Sequence, residues 1–243
     1  MTDMELTAVI TGGNKGIGAD LAQRMLAEGY HVISVARRAP EFSHDRLSSV
    51  EADLLDADAV RQAATEIAAG HRVTHFVQNA GLIWPNLIED AKPEDITGLA
   101  QLHLGSALTL LQAFLPSMKE RRFGRVLFNG SRAALGAKTR TAYGASKAGM
   151  IGMARTWALE LAPHQITVNV VAPGPILTDN FWGVIPKGSE QEADLATRIP
   201  VGRLGVVEDV TNAFMFFADP KAGFVTGQTL FVCGGASVGS LTL

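Results

Sequence analysis

Short apolar stretches alternate with helical periodicity along the whole chain. The first stretch, Leu6–Ile10, is rich in β-branched residues, and apolar positions at Leu21, Met25 and Leu26 then follow helical spacing. The same reading predicts further strands at 31–38, 47–50, 73–78, 124–129, 166–171 and 229–232, and helices at about 56–69, 95–119, 142–161 and 207–218. Alternating strands and helices build right-handed βαβ units, so the pattern predicts an α/β fold with a parallel sheet.

The 243 residues are compatible with one large domain, and no repeat, low-complexity tract or linker divides them. We therefore predict a single domain over residues 1–243. Residues 176–199 are less regular and follow a strand end, which predicts a lid over a substrate site.

The glycine-rich segment TGGNKGIG, residues 11–18, lies between the first strand and the first helix. Glycines at 12, 16 and 18 would let the backbone turn sharply and approach a pyrophosphate, which the helix N-terminus then favours. The alternative is an ordinary strand-to-helix turn. The lysine-serine/threonine ending of a P-loop is missing, which argues against a nucleotide triphosphatase.

The end of the second strand reads Ala36-Arg37-Arg38, where dinucleotide folds often carry an acidic residue for the ribose 2′-hydroxyl. An arginine there would instead bind a 2′-phosphate, and Lys15 adds a second positive charge. We therefore predict NADP(H) in preference to NAD(H). The alternative is that one or both arginines are solvated loop residues, and this applies most to Arg38.

Two further strand ends carry polar or small residues. Asp53 could accept a hydrogen bond from an adenine amino group or cap the next helix, a role for which Asp56 competes. Asn79-Ala80-Gly81 could admit a cofactor, and Asn79 could brace neighbouring strands. Ligands of parallel sheets bind at the carboxyl ends of strands, so these positions are predicted to share one edge.

Tyr143 and Lys147 are one helical turn apart, and Ser131 follows the fifth strand. A nearby ammonium would lower the pKa of the phenol, which could then act as a general acid or base. A serine hydroxyl could hold the substrate oxygen, as interconversion of a carbonyl and an alcohol requires. Taken alone, the pair could also be a solvated helix face.

Composition and charge limit the classes of binding partner that we expect. The net charge is −3, the pI is about 6.1 and no basic stripe suggests nucleic acid. Cys233 is the single cysteine, and no apolar run approaches the roughly 20 residues of a membrane span. We expect a soluble cytoplasmic protein with a small-molecule partner, without a metal site, nucleic acid or membrane.

These motifs in this order resemble the short-chain dehydrogenase/reductase family, most closely its 3-oxoacyl-carrier-protein reductase-like members. Pro173-Gly174, Thr226-Gly227-Gln228 and Gly234-Gly235 extend the similarity over nearly the whole chain. The resemblance implies a Rossmann-type doubly wound parallel sheet of about seven strands with helices on both faces. It also implies a homotetramer or homodimer, with the long helices at about 95–119 and 142–162 paired across interfaces.

The resemblance assigns roles residue by residue. Tyr143 would be the general acid, Ser131 would hold the carbonyl oxygen, and Lys147 would lower the tyrosine pKa and bind the nicotinamide ribose. The cofactor-binding positions it implies, with those argued above, are Gly12, Asn14, Lys15, Gly16, Ile17, Gly18, Arg37, Arg38, Asp53, Leu54, Asn79, Ala80, Gly81, Tyr143, Lys147, Pro173, Gly174, Ile176 and Thr178.

Three positions depart from the family pattern. His103 stands where an asparagine commonly holds a water in the proton relay, so the imidazole could join the relay, or could simply pack beside the site. Gln78 replaces a common asparagine, with little expected effect. Cys233 replaces a common aspartate and is expected to be a small buried hydrophobe.

The sequence favours a ketone or secondary alcohol of hydrophobic or acyl type as the substrate. Trp84, Leu135, Phe181 and Trp182 could line an apolar pocket or pack within their own loops. Two alternatives stay open: a non-catalytic NADP-binding sensor or scaffold, and a family relative with epimerase or dehydratase chemistry.

Overall fold

A single parallel sheet forms the centre of the protein. The computed structural model describes residues 5–183 and 185–238. The sheet has seven strands in the order β3-β2-β1-β4-β5-β6-β7. These strands are β1 (Thr7–Thr11), β2 (His31–Ala36), β3 (Leu47–Glu51), β4 (His75–Gln78), β5 (Gly124–Asn129), β6 (Ile166–Pro173) and β7 (Thr229–Val232).

Helices cover both faces of the sheet. Within the described ranges they are α1 (Gly16–Ala27), α2 (Ala57–Gly70), α3 (Pro93–Ala100), α4 (Ser106–Arg121), α5 (Thr141–Leu161), α6 (Asp179–Trp182), α7 (Glu190–Thr197) and α8 (Val207–Ala218). A π-helical turn (Gln101–Gly105) joins α3 to α4, and single 3₁₀ turns lie at Arg132–Leu135, Ala162–His164 and Pro220–Ala222.

The core has two layers, one on each side of the sheet. Phe76, Phe114 and Phe128 belong to the larger cluster, under α2, α4 and α5. Met25 and Phe214 belong to the other, under α1 and α8. This arrangement confirms the predicted doubly wound sheet of seven strands. The chain runs outward from β1 to β2 and β3 and then crosses back to β4 on the other side of β1, which places a crevice at the carboxyl ends of β1 and β4.

The long helix predicted at 95–119 is interrupted. It begins at Pro93, passes through the π-helical turn and ends at Arg121. By length and composition this run could cross a membrane, but its apolar side chains Leu110, Leu111, Phe114 and Met118 are buried in the core. Gly98 in α3 and Gly105 at the end of the turn weaken the helix here, since glycine is a poor helix former.

Other boundaries shift by a few residues. The second strand stops at Ala36, so both arginines lie outside it, and the sixth continues to Pro173. The predicted lid, 176–199, contains two short helices, α6 and α7, where its described residues were expected to be irregular. Asp56 caps α2 by accepting from the backbone of Asp58 and Ala59, which decides the capping competition against Asp53.

Candidate active site

The glycine turn after β1 is shaped by contacts that exclude side chains. Gly12 and Gly16 have φ angles of 65° and 54°, in the left-handed region that favours glycine. A Cβ on Gly18 would lie 2.1 Å from the Gly12 carbonyl oxygen, so α1 can begin this close to β1 only with glycine. Next to Gly16, the nearest atom to a hypothetical Cβ is in Thr178, at 3.8 Å. The turn therefore fits a cradle for a pyrophosphate at a helix N-terminus.

Positively charged side chains are exposed just after β2 and in the glycine turn after β1. Arg37, Arg38 and Lys15 are exposed, and none has a side-chain hydrogen bond or ion pair with another described residue. Asp53 instead turns back on its own chain and accepts from the Leu55 N–H at 3.0 Å. Leu54 is buried in the core, and its carbonyl accepts from Gln101. The arginines are thus free to meet an anion.

Asn79 links the strands at the crevice. Its amide nitrogen donates to the main-chain oxygens of Thr11 and Gly12, at 2.9 and 3.2 Å. Its side-chain oxygen accepts from the Asn129 amide at 2.8 Å. Ala80 donates its N–H to the Thr11 hydroxyl at 3.0 Å. Asn79 therefore braces β1, β4 and β5, as expected from the sequence, and Asn129 is a partner that sequence reasoning missed.

Ser131 and Tyr143 come together from two elements. Ser131 lies just after β5, where its hydroxyl caps a 3₁₀ turn by accepting from the Ala133 N–H at 3.1 Å. Tyr143 lies in the first turn of α5 and is half-buried. Burial raises the pKa of the Tyr143 phenol, while a hydrogen bond with Ser131 and the charge of Arg140 oppose that rise. The lowering of this pKa by Lys147, expected from the resemblance, stays a prediction.

Lys147 is almost completely buried one turn further along α5. Its ammonium donates to the Asn129 main-chain oxygen at 2.6 Å, and the Met150 sulfur lies at 3.7 Å. It also lies 5.5 Å from the centre of the Tyr143 ring. Burial lowers the pKa of Lys147 to about 7. The lysine can therefore exchange a proton near neutral pH.

His103 lies in the π-helical turn and is fully buried. Its Nδ1 is 2.8 Å from the Ser146 hydroxyl, and its ring meets that of Tyr143 edge-on at 5.9 Å. Burial and the charge of Lys147 lower the pKa of His103 to about 2. The imidazole therefore does not titrate near neutrality, which contradicts the reason given above for its joining the relay.

Gln78 does more than its expected minor role. It is fully buried at the end of β4, accepts from the Thr11 hydroxyl at 3.2 Å and donates to the Leu102 carbonyl at 2.9 Å. It also donates to the Ser106 hydroxyl at 3.1 Å. The Leu102 carbonyl also accepts from the Ser106 hydroxyl at 2.6 Å, so one buried network joins the end of β4 to the π-helical turn. Gln78 thus holds in place the segment that contains His103. The signal in the sequence was a glutamine at the end of a buried strand.

The end of β6 closes the crevice on its other side. Gly174 donates to the Val232 carbonyl at 2.9 Å, and a Cβ on Gly174 would lie 2.8 Å from the Cβ of Cys233. Cys233 is buried, as expected. Ile176 is also buried and pairs with Gly205. Pro173 is buried at the strand end. A Cβ added at Gly16 would lie 3.8 Å from the Thr178 side chain, so the start of the lid lies close to the glycine turn.

The four predicted substrate residues lie in different surroundings. Trp84 packs against α3, where a Cβ on Gly98 would lie 2.9 Å from the indole ring. Leu135 is 59% exposed. Phe181 and Trp182 contact each other in α6, with ring centres 5.1 Å apart. Trp84 therefore has a packing role of its own, and only the α6 pair belongs to the lid.

The remaining predicted positions frame the same edge. Asn14 and Ile17 are partly buried in the glycine turn and at the start of α1, and Gly81 faces His103 and Lys147. A phenol, a hydroxyl and a buried amine thus meet beside a turn suited to a pyrophosphate. This arrangement can deliver a proton to an oxygen atom next to a bound dinucleotide.

Sequence comparisons point to one family. The family model described as enoyl-(acyl carrier protein) reductase matches residues 12–237. The chain is 34% identical to the 3-oxoacyl-[acyl-carrier-protein] reductase FabG of Haemophilus influenzae, over 94% of this chain and 96% of that protein. It is 36% identical to (2S)-[(R)-hydroxy(phenyl)methyl]succinyl-CoA dehydrogenase subunit BbsD of Thauera aromatica, over 95% and 96% of the two chains.

The fold comparison agrees. The crystal structure of a short-chain dehydrogenase family protein from Francisella tularensis superposes with a TM-score of 0.88 at 24% identity, over 97% of this chain and all of that chain. The structure of ElxO with NADP bound superposes with a TM-score of 0.89 at 27% identity, with the same coverage. The sheet and its flanking helices are thus shared over almost the whole length.

Proposed function

The chain belongs to the short-chain dehydrogenase/reductase family and is an NAD(P)-dependent oxidoreductase, and we propose that it uses NADP(H) to interconvert a ketone and a secondary alcohol. The proposal depends above all on one observation: Ser131, Tyr143 and Lys147 meet at the strand edge that also carries the glycine turn. The relatives named for 3-oxoacyl-carrier-protein and acyl-CoA substrates make 3-oxoacyl thioesters the first candidates.

The dinucleotide supplies the hydride when bound. Tyr143 gives its proton to the substrate oxygen in reduction and recovers one from the alcohol in the reverse direction. Ser131 holds that oxygen with its hydroxyl. Lys147 holds a second proton within the same buried cluster and, in its charged form, would stabilise the phenolate left on Tyr143.

The preference for NADP(H) follows from charge. Arg37, Arg38 and Lys15 are exposed without a described acidic partner, so a 2′-phosphate would be the anion they meet. Asp53 is engaged with its own backbone, and it follows β3 where the arginines follow β2. The 2′-hydroxyl of NAD(H) would leave the arginines without a ligand.

We also propose a homotetramer or homodimer in the cytoplasm. The surfaces suited to pairing lie on the long helices, where Leu108 of α4 is 42% exposed and Leu159 of α5 is 81% exposed. Burying such side chains against a second copy would remove apolar surface from water. Light scattering on the purified protein would give the state directly.

The test is NADPH oxidation with a panel of ketones and 3-oxoacyl thioesters, in the parent and in Tyr143→Phe. We expect turnover with at least one substrate. In the variant the turnover rate should fall by 10²-fold or more, which is roughly the contribution of general acid catalysis to an enzymatic rate. NADPH binding, followed by fluorescence, should persist. Turnover unchanged by the substitution would contradict the role of Tyr143.

The two alternatives give different results. A non-catalytic sensor or scaffold would bind NADPH and oxidise none with any substrate. An epimerase or dehydratase would form product without net consumption of NADPH. The Ser131, Tyr143 and Lys147 cluster favours the reductase over the sensor, since a scaffold needs no buried amine beside a phenol.

A further inference from the structure

Arg140 is a half-buried cation directly before α5, three residues ahead of Tyr143. Residues three apart on a helix are neighbours on its surface, so the guanidinium and the phenol belong to the same corner of the molecule. Arg140 forms no ion pair with another residue in the described part of the chain. A guanidinium beside the candidate catalytic phenol therefore lacks a negative partner there.

Thr139 holds this guanidinium by one of its nitrogens. The Thr139 hydroxyl accepts a hydrogen bond from Arg140 Nη1 at 2.5 Å, and the Thr139 carbonyl lies 3.3 Å from the same nitrogen. Nε and Nη2 of Arg140 have no partner among residues 5–183 and 185–238, and both are open to solvent. These two nitrogens form the side of a guanidinium that binds both oxygens of a carboxylate through parallel N–H groups. The free side of Arg140 is thus the one that suits a carboxylate.

The backbone of Thr139 is unusual for its residue type. Its φ angle is 65°, in the left-handed region that a β-branched residue rarely adopts. The loop after β4 holds this conformation: Asn86 donates its N–H to the Thr139 carbonyl at 3.1 Å and pairs with Arg140 in an isolated β-bridge. Such unfavourable backbone conformations concentrate at ligand sites, where the surrounding structure maintains them. Here the conformation fixes the segment that carries the guanidinium.

A groove of about 500 Å³ opens beside Arg140. Exposed apolar side chains, Leu87 and Ile88, line one wall, and Lys138 adds a second positive charge. The 3₁₀ turn that the Ser131 hydroxyl caps forms another wall. Within the described ranges, no aspartate or glutamate lines the groove. It therefore combines apolar walls with positive charge next to the candidate proton site.

We propose that Arg140 is a specificity-determining residue that binds a carboxylate of the substrate through Nε and Nη2, so that the substrate is an oxo acid or hydroxy acid rather than a neutral ketone or alcohol. Apolar groups of the substrate contact Leu87 and Ile88, and Lys138 adds to the positive potential. The inference rests on the proposed function, because the carboxylate belongs to the molecule whose carbonyl oxygen meets Tyr143.

The rival explanation is that Arg140 acts only on Tyr143. Burial raises the pKa of the phenol, and the charge of Arg140 is one of the two influences that oppose this rise. Such a role needs no contact with the substrate, would affect kcat for every substrate alike, and could be filled by any cation. Carboxylate binding affects only substrates that carry the carboxylate, and it requires the fork of an arginine rather than a point charge.

The first test compares matched substrates. Oxo acids with the ketone at carbon 2, 3, 4 or 5 are assayed with NADPH, each beside its methyl ester, which keeps the ketone and removes the charge. We expect kcat/KM of the best acid to exceed that of its ester by about 100-fold, as for two hydrogen bonds to a charged group. Esters reduced as well as their acids would overturn the inference and leave the proposed function standing.

The second test uses variants of Arg140. Arg140→Gln should raise KM for the acid by about 100-fold and leave the constants for the ester within about threefold of the parent. Arg140→Lys keeps the charge without the fork, so KM for the acid should still rise by about tenfold. Full recovery by lysine, or an equal fall of kcat for acid and ester in the glutamine variant, contradicts carboxylate binding. The control, Arg155→Gln, removes an exposed charge from α5 outside the groove and should change none of these constants.

Binding measured without turnover separates this inference from the proposed function. Calorimetric titration of the NADP⁺-saturated parent with the same oxo acids should show binding that is lost in Arg140→Gln. NADPH affinity, followed by fluorescence, should be equal in both proteins and so report a folded variant. No binding of any oxo acid by the parent overturns the inference. A parent that binds an oxo acid and reduces nothing on the panel would count against the proposed function and support the carboxylate site.

Discussion

The Lys147 ammonium donates to the main-chain oxygen of Asn129 across 2.6 Å. The Asn129 side chain in turn donates to Asn79, whose amide holds the carbonyl of Gly12. Two amide side chains therefore connect the candidate catalytic lysine to the glycine turn. Displacement of β5 relative to β4 would disturb the proton site and the predicted cofactor site together.

Lys147→Met should abolish turnover and stabilise the fold. Burial lowers the pKa of Lys147 from 10.5 to about 7, and each unit of that shift costs about 1.4 kcal/mol at pH 7. The substitution also removes the hydrogen bond to Asn129, and this loss offsets roughly half of the stabilisation. We expect the free energy of unfolding to rise by about 2 kcal/mol at pH 7, measured by urea denaturation.

The stability difference between Lys147→Met and the parent should depend on pH. Between about pH 7 and 10.5 the unfolded chain binds the lysine proton and the folded chain does not, so the contribution of Lys147 to stability rises with pH in this window. The advantage of Lys147→Met should therefore shrink toward pH 10. A variant less stable than the parent at pH 7 would show that burial of the Lys147 amine does not destabilise the folded protein.

Gly18→Ala should abolish cofactor binding. Its Cβ would overlap the Gly12 carbonyl at 2.1 Å and approach the Asn79 amide at 2.5 Å, so α1 must move away from the turn. Fluorescence titration with NADPH should show a loss of affinity of 100-fold or more, about 3 kcal/mol. The control, Gly152→Ala, has open space around its Cβ and should gain up to about 1 kcal/mol in stability.

Arg37→Asp should reverse the cofactor preference. The parent is expected to bind NADPH more tightly than NADH, because Arg37 is exposed and has no described ion-pair partner. Loss of one charge-assisted bond to a phosphate should weaken NADPH binding by about tenfold or more. Arg38→Asp is the matched comparison for the neighbouring residue. Equal affinities of the parent for NADPH and NADH would remove the role given to Arg37.

Acidification should destabilise the protein through His75. This residue is fully buried at the start of β4, with Nε2 3.0 Å from the Ala218 carbonyl and Nδ1 2.9 Å from the Thr74 hydroxyl. Burial lowers the pKa of His75 to about 4. The hydrogen bond to Ala218 opposes this shift, and the charge of Arg125 adds a smaller lowering. The unfolded chain therefore binds more protons between pH 4 and 6.5, and stability falls as pH falls through that window.

The expected loss from His75 is about 3 kcal/mol from pH 6.5 to pH 4. His75→Gln should flatten the slope of unfolding free energy against pH in this range, whatever its stability at pH 7. An unchanged slope would mean that His75 is not the group that titrates. Urea denaturation at several pH values provides the measurement.

Several features were readable from the chain because they depend on local order. Strand, glycine turn and helix follow one another at 7–27, and alternation of strands and helices fixes a parallel sheet. Strand ends of such a sheet share an edge, so the sequence alone predicts that Gly12, Asn79 and Ser131 lie close together. The spacing of Tyr143 and Lys147 likewise required only a helix.

Other features depended on contacts between distant segments. Gln78 and Ser106 meet across 28 residues, and His103 and Ser146 across 43, so no local pattern indicates either pair. The π-helical turn was missed because a single extra residue in a helix leaves the hydrophobic periodicity almost unchanged. Asp53 was ambiguous because capping and ligand binding favour the same residue type.

The sequence by itself determined the doubly wound sheet, the predicted cofactor edge and the residue types of the candidate proton site, because periodicity and motif order are properties of neighbouring residues. Only the tertiary structure decided the protonation behaviour of that site. The pKa of Lys147 near 7 and the neutral state of His103 come from burial by α5, β5 and the π-helical turn together. Desolvation is a property of the assembled core, and no stretch of chain contains it alone.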